Sequence, residues 1–267
     1  MSPGPFRTFH YHANAHVVSA MFTRPLQHLV EVQGASSLPT IGGHGRGLVE
    51  DFRFNEFLSV KRGYTHVSGS EQEVEVAGKK TKYFTTLVTA VAEGANILDV
   101  VHAERIVARF ASSHTLDEAE GHFSLVGTKF DGVQIGGCKT EVPINVKLFE
   151  AIDTFKEAQS NADVKRIAED PFEDGQKLQE ESRGEAILCS IVDLKKMTTE
   201  CPGVVRKGHS FVIPKFGKLF LGEILLQHGR RTLTMVRFEL GSPVSGSGTV
   251  VQLDGNGQPY PPPPGKG

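Results

Sequence analysis

A period of two governs this chain. From Phe9 it runs Phe9-His10-Tyr11-His12-Ala13-Asn14-Ala15-His16-Val17, with apolar or small side chains at odd positions and polar ones at even positions. Successive side chains of an extended strand point to opposite faces, so this run buries one face and wets the other. The alternation returns in Glu71-Gln72-Glu73-Val74-Glu75-Val76 and stops at the turn signal Gly78-Lys79-Lys80. Lys82 to Val91 follows, rich in β-branched and aromatic residues. Further strands are expected over 105–112, 121–128, 133–142, 185–193, 208–213, 218–227 and 232–240. Short strands divided by turn residues every 8–12 positions or so predict a mainly β chain, an antiparallel sandwich or a barrel-like domain. The 29 Gly and 14 Pro among 267 residues fit a turn-rich β protein better than a helix bundle.

One stretch breaks the pattern. Leu148, Ile152, Phe155 and Ala158 recur at helical spacing, which predicts one amphipathic helix over 147–160 followed by a charged, mobile connection with room for a short helix. Pro171 limits any helix there, because its nitrogen carries no hydrogen to donate. The expected organisation is a single domain with a β-rich first part at 1–146, a helical and charged insertion at 147–184 and a β-rich second part at 185–252. A Pro/Gly-rich tail at 253–267 completes it, either frayed or docked on a neighbouring subunit.

Lys and Arg number 29 against 31 Asp and Glu, a formal net charge of −2, which argues against a nucleic-acid footprint. No apolar run approaches the roughly 20 residues of a membrane helix. The N-terminus shows no basic segment followed by an apolar core, so no cleavable secretory signal is expected. That reading fits a cytoplasmic protein, or a mature secreted chain given a new Met. Cys138, Cys189 and Cys201 have no CxxC spacing. Three reduced thiols is the simplest expectation, with a Cys189–Cys201 pair as the alternative.

The order of segments carries a resemblance. Thr89-Ala90-Val91-Ala92 leads into Ile97-Leu98-Asp99-Val100-Val101-His102-Ala103-Glu104-Arg105-Ile106-Val107-Ala108. Phe123 to Gly132 and Pro143-Ile144-Asn145-Val146 follow, then Ile213 to Glu223, Leu233 to Leu240 and Thr249-Val250-Val251. Over about 85–145 and 208–252 this pattern resembles the choice-of-anchor P family of bacterial surface proteins. The resemblance implies a β-rich domain, usually secreted or displayed at the cell surface, and supplies no catalytic residues. The absent signal and the charged insertion within 147–207 depart from it.

Two constellations invite chemistry. His10, His12, Asn14 and His16 project from one face of the first strand, successive members of that row lying about 6.5–7 Å apart. Two imidazoles at i and i+2 can converge on zinc or copper, with a third ligand from His44, His66, His102, His114, His122, His209 or His228. The plainer reading is a solvent-facing polar strip. Gly42-Gly43-His44-Gly45-Arg46-Gly47 is the densest glycine cluster, and its open amides would suit an anion held by Gly43, His44, Gly45 and Arg46. It lacks the Lys-Ser/Thr of a P-loop, so a mobile loop is the plainer expectation there. The pair Arg230-Arg231 follows Gly229 and is expected to be solvated in a hairpin turn. No nucleophile elbow occurs, and Gly241 to Gly248 reads as a turn. The sequence therefore points to a non-enzymatic protein that works through its surfaces without a cofactor. It would be a homo-oligomeric structural subunit or a binding module, with a metal-binding protein or metal-dependent enzyme as the alternative.

Overall fold

A computed structural model describes residues 6–76, 78–118, 120–169, 186–197 and 201–263. The strands that precede the helices are β1 (Thr8–Arg24), β2 (His28–Gln33), β3 (Ser36–Ser37), β4 (Gly43–Phe54), β5 (Leu58–Val76), β6 (Lys79–Ile97), β7 (Val101–His114), β8 (His122–Ser124), β9 (Lys129–Asp131), β10 (Gln134–Ile135) and β11 (Cys138–Lys139). After them come α1 (Val146–Glu150), α2 (Phe155–Ser160) and α3 (Ala162–Glu169). The second β part holds β12 (Ala186–Ser190), β13 (Val205–Lys207), β14 (Ser210–Ile213), β15 (Gly217–Gln227), β16 (Arg230–Leu240) and β17 (Ser245–Tyr260).

These strands form two antiparallel sheets, neither closed into a barrel. Sheet A has the order β13-β14-β15-β16-β17-β1-β2, with β12 against β15 and β3 against β1. Sheet B has the order β11-β10-β7-β6-β5-β4, with β8 and β9 against β7. The chain's first strand thus pairs with its last, and the sandwich expectation holds. Phe9, Tyr11, Ala13 and Ala15 of β1 are buried, as the alternation requires, and meet Val67, Phe84, Val88, Ala90 and Phe110 from sheet B in one core.

The strands are longer than a single alternation. In β1 the buried residues are odd-numbered through Val17 and even-numbered from Val18 through Ala20 and Phe22. Likewise Met235 and Val236 are both buried in β16, and Val250 and Val251 in β17. The ladder pairs His16 with Gln252 and then Val18 with Val250, so the register sum is unchanged and neither strand gains a residue. Each strand instead steps out of the ladder at one position and resumes with its faces exchanged. In sheet A the row of such positions is Gly222, Met235, Val251, Val17 and Gly34, with Gly222, Val251 and Gly34 at φ of +61°, +58° and +61°. In sheet B it is Asp51, Lys61, Gly94, Glu104 and Gly132, with Asp51, Gly94 and Gly132 at +50°, +62° and +60°. Left-handed residues therefore alternate with extended ones across both sheets. Such backbone is ordinary for Gly and strained for a β-branched residue such as Val251.

The expected helix over 147–160 is two helices. Thr154 sits between them and caps α2: its Oγ1 accepts from the Glu157 N–H, and the Glu157 carboxylate accepts from the N–H groups of Thr154 and Asp153. Phe149, Ile152, Phe155, Ala158 and Val164 are buried, and α1 packs on β8 of sheet B while α2 packs on β15 of sheet A. The helical segment thus bridges the sheets. The charged stretch after α2 is described as far as Glu169 and forms α3, the short helix allowed for there; Pro171 and the rest of the connection lie outside the described residues.

Two expectations are corrected. The tail begins inside β17, whose pairing with β1 runs from Ser245 opposite Arg24 to Tyr260 opposite Thr8. Pro259 is tolerated because β16 pairs no further than Gly255, so this end of β17 is an edge where a missing N–H costs nothing. The cysteine pairing is Cys138–Cys201, across 63 residues, and it ties β11 of sheet B to the loop before β13 of sheet A. Cys189 is a free, buried thiol whose pKa burial pushes up to about 12.

Candidate functional site

Pairing of β1 with β17 sets His10, His12, Asn14 and His16 beside Gln258, Asp254 and Gln252 on the outer face of sheet A. The three histidines take three different partners. His10 stacks on Tyr260 with ring centroids 5.1 Å apart. His12 Nε2 lies 3.3 Å from Asp254 Oδ2, an oxygen that also accepts from Arg230. His16 Nε2 is 3.1 Å from Thr249 Oγ1 and 3.2 Å from Ser19 Oγ, and those hydroxyls are 3.0 Å from each other. In a regular strand residues 16 and 19 would face opposite ways; the phase exchange at Val17 and Val18 brings them together. Burial lowers the His16 pKa against the pull of Asp254. Burial works to raise the Asp254 carboxyl, but His12, Arg230 and Asn14 outweigh it and hold it below the usual range. Among the described residues no group of three or more His, Cys, Asp and Glu is placed to hold a metal ion. What the geometry makes of the row is a cross-strand polar ladder.

Gly43, His44, Gly45 and Arg46 are not a loop. They open β4 and pair with Gly69, Ser68, Val67 and His66 of β5. The glycines answer a close approach: a Cβ at Gly45 would lie 2.8 Å from Ser37 O, and one at Gly47 2.5 Å from Ala35 O, where the chain crosses from sheet A to sheet B. On the opposite face the side chains of His44, Arg46, Leu48 and Glu50 are exposed. β4 is the terminal strand of sheet B, so its other backbone edge faces outward.

A third constellation lies between the sheets, where the helical segment meets them. Arg231, expected in solvent, is 3% exposed, with its guanidinium 4.6 Å from the Phe123 ring centroid. Its Nη2 donates to Glu120 Oε2 at 3.2 Å and to the Asp153 carbonyl at 2.8 Å. Glu120 also accepts from the Phe155 N–H at 2.8 Å and contacts His228 Nδ1 at 3.2 Å. Beside it, fully buried His114 places Nε2 2.5 Å from Asn256 Oδ1, and Thr86 Oγ1 donates to the Asn256 carbonyl at 3.0 Å. Burial, reinforced by the positive charge of Arg231, pushes the His114 pKa down to about 4. Ser112 Oγ, His114 Nδ1, Asn256 Nδ2 and the Nε and Nη1 of Arg231 are buried with no hydrogen-bond partner among the described residues. The sequence cue to this centre was Arg230-Arg231 itself, since neighbours in a strand cannot both face solvent when one sheet face is buried.

A fourth network spans β14 to β16. Glu223, 5% exposed, accepts from Arg237 Nε at 2.6 Å and Nη2 at 3.0 Å, and lies 3.0 Å from His209 Nε2. Burial tends to raise the Glu223 carboxyl, and His209 and Arg237 more than offset that. Arg237 and Glu239 floor an open groove of about 440 Å³ whose rim carries the exposed Leu29 and Val32 of β2.

The family model described as Domain of unknown function (DUF8256) matches residues 9–183 and 153–227. The chain belongs to this family. No curated protein and no solved structure matches it. The DUF8256 match spans the histidine row, the whole of β4 and the helical segment, while β16 and β17, which complete sheet A, lie beyond the matched residues. It does not bear on the resemblance to the choice-of-anchor P family.

Proposed function

We propose that this DUF8256 protein acts through its surfaces, as a self-associating structural subunit or binding module. The observation that supports this reading is the open edge of β4. Over twelve residues, Gly43–Phe54, one side of the strand is paired to β5 and, among the described residues, no strand pairs with the other. An unpaired edge is a template for another strand, and natural sheets usually shorten, bend or cover it. A formal net charge of −2 adds little repulsion between copies. Light scattering coupled to size exclusion, over a wide range of protein concentration, tests self-association directly: a mass that stays at 29.0 kDa throughout refutes it.

The metal reading has a narrower support, the His12–Asp254 pair on the same face as His10 and His16. Native mass spectrometry before and after chelator decides it. One zinc or copper per chain, lost with chelator and absent from His10→Ala/His12→Ala, is the result it requires.

A further inference from the structure

We propose that the partner of the β4 edge is the β4 edge of a second copy, paired antiparallel about a two-fold axis that passes beside Leu48. The inference rests on the self-association proposed above and names its surface.

Edge-to-edge pairing of identical strands places residue i opposite residue 96 − i when the axis lies at Leu48. Leu48, 58% exposed, then meets Leu48 of the partner subunit. Arg46 meets Glu50 of the partner subunit, and Glu50 meets the partner's Arg46. These side chains share the outer face of sheet B, because 46, 48 and 50 alternate with the inward-facing Gly45, Gly47 and Val49. Within the chain the same face continues onto β5, where Tyr64 lies opposite Leu48, Arg62 opposite Glu50 and His66 opposite Arg46. Across the joined edge the middle row therefore reads Tyr64, Leu48, Leu48, Tyr64. Each flanking row reads Arg62, Glu50, Arg46, His66. The apolar row sits on the axis and the charges alternate in sign on both sides of it.

Neighbouring axes lose this match. Centred on Gly47, Leu48 would face the partner's Arg46. Centred on Val49, Leu48 would face the partner's Glu50. Opposite-charge cross-strand pairs stabilise a sheet and like-charge pairs oppose it, so the sequence of the edge selects one register. Asp51, with φ of +50°, bends β4 just past Glu50, and Gly45 is the residue that would lie opposite it. The concave surface beside the edge, about 470 Å³ and lined by Arg46, Gly47, Leu48, Tyr64, Thr65 and His66, is where the two copies would meet.

Charge reversal tests the register without touching the core. Arg46→Glu and Glu50→Arg each put two like-charged pairs across the axis, and each should weaken dimerisation about tenfold in sedimentation equilibrium. The double variant Arg46→Glu/Glu50→Arg should restore it, with circular dichroism confirming that all three variants fold. Leu48→Cys adds a geometric readout. Facing residues of an antiparallel pair have Cα atoms about 4.5–5.5 Å apart, within disulfide reach, so mild oxidation should give a covalent dimer in non-reducing gel electrophoresis. A wild-type dimer indifferent to the reversals, or a double variant that stays monomeric, overturns this interface while leaving self-association standing. Open-ended polymers, as β4 pairing with the β2 edge would produce, overturn the two-fold pairing in the same way. A wild-type monomer at every concentration overturns both.

Discussion

Burial of a neutral His114 ties the stability of this fold to pH. In the unfolded chain its imidazole titrates near the ordinary value of 6.5, whereas in the folded protein burial and Arg231 push it down to about 4. The folded state thus holds fewer protons than the unfolded state between those values, and stability rises with pH there. The contribution is fully present above pH 6.5, is lost as the pH falls toward 4, and changes no further below that. A gap of some 2.5 pH units corresponds to about 3 kcal/mol, lost at about 1.4 kcal/mol per unit. That is a large share of the 5–15 kcal/mol or so that typical domains possess. The measurement is a set of guanidinium unfolding curves from neutral pH down to 4, run on the wild type and on His114→Gln. Glutamine can still donate to Asn256 Oδ1 but does not titrate. Carboxylates such as Asp254 and Glu223, held low in the folded state, lose their own stabilisation on acidification equally in both proteins, so the difference between the two profiles isolates residue 114. The variant should be less stable at neutral pH and should lose about 3 kcal/mol less on the way to pH 4. Parallel profiles would refute the assignment of a neutral, desolvated His114.

Three other changes probe separate parts of the molecule. Replacing the buried Arg231 by Met takes away the cation beside the Glu120 carboxylate, only 12% exposed, and should cost roughly 3 kcal/mol in chemical denaturation, whereas Arg230→Ala removes a half-exposed cation and leaves Asp254 its His12 partner, and should cost less. Reduction of Cys138–Cys201 frees a loop of 63 residues and should lower stability by up to roughly 4 kcal/mol, read from unfolding curves with and without reductant. Gly222→Ala forces an L-residue to φ of +61° and brings its Cβ within 2.9 Å of Ile191 and Val192 side-chain atoms; a loss of at least about 1–2 kcal/mol is expected, visible as a lowered thermal midpoint. A neutral Gly222→Ala would mean that the left-handed row tolerates side chains freely.

The alternation starting at Phe9 revealed both the fold class and which face of β1 is buried, because a period of two survives any tertiary context that keeps the strand extended. β2 and β4 were harder to see. In β4 the inward positions 45 and 47 are glycine, since the chain crosses them at contact distance, so the apolar half of the alternation is missing and the run reads as a loop. The helix break at Thr154 follows from a local rule, Thr followed three residues later by Glu, that the apolar spacing of Leu148, Ile152 and Phe155 masks. The cysteine pairing was not legible, because it depends on how the end of sheet B meets the far end of sheet A. The histidine row was legible as a row and not as a site: pairing with β17 brings Tyr260, Asp254 and Thr249 to three different rings, and no property of residues 10–16 alone encodes those partners. The centre around Arg231 and His114 joins residues up to 170 positions apart and became visible only with the sheets in place.

The exchange of faces along the strands bears on how the chain avoids misfolding. The β5–β6 hairpin joins two strands of 19 residues each. Uniformly alternating strands of that length could slide by two residues, keep every apolar side chain on its proper side and lose only a pair or two at the ends. Here each strand carries a mark near the open end of the hairpin, Lys61 in β5 and Gly94 in β6, that must face the mark on its neighbour. A two-residue slide would set left-handed backbone against ordinary ladder and turn part of each strand inside out. The row works as an alignment key for hairpins that would otherwise have several nearly equivalent ways to close.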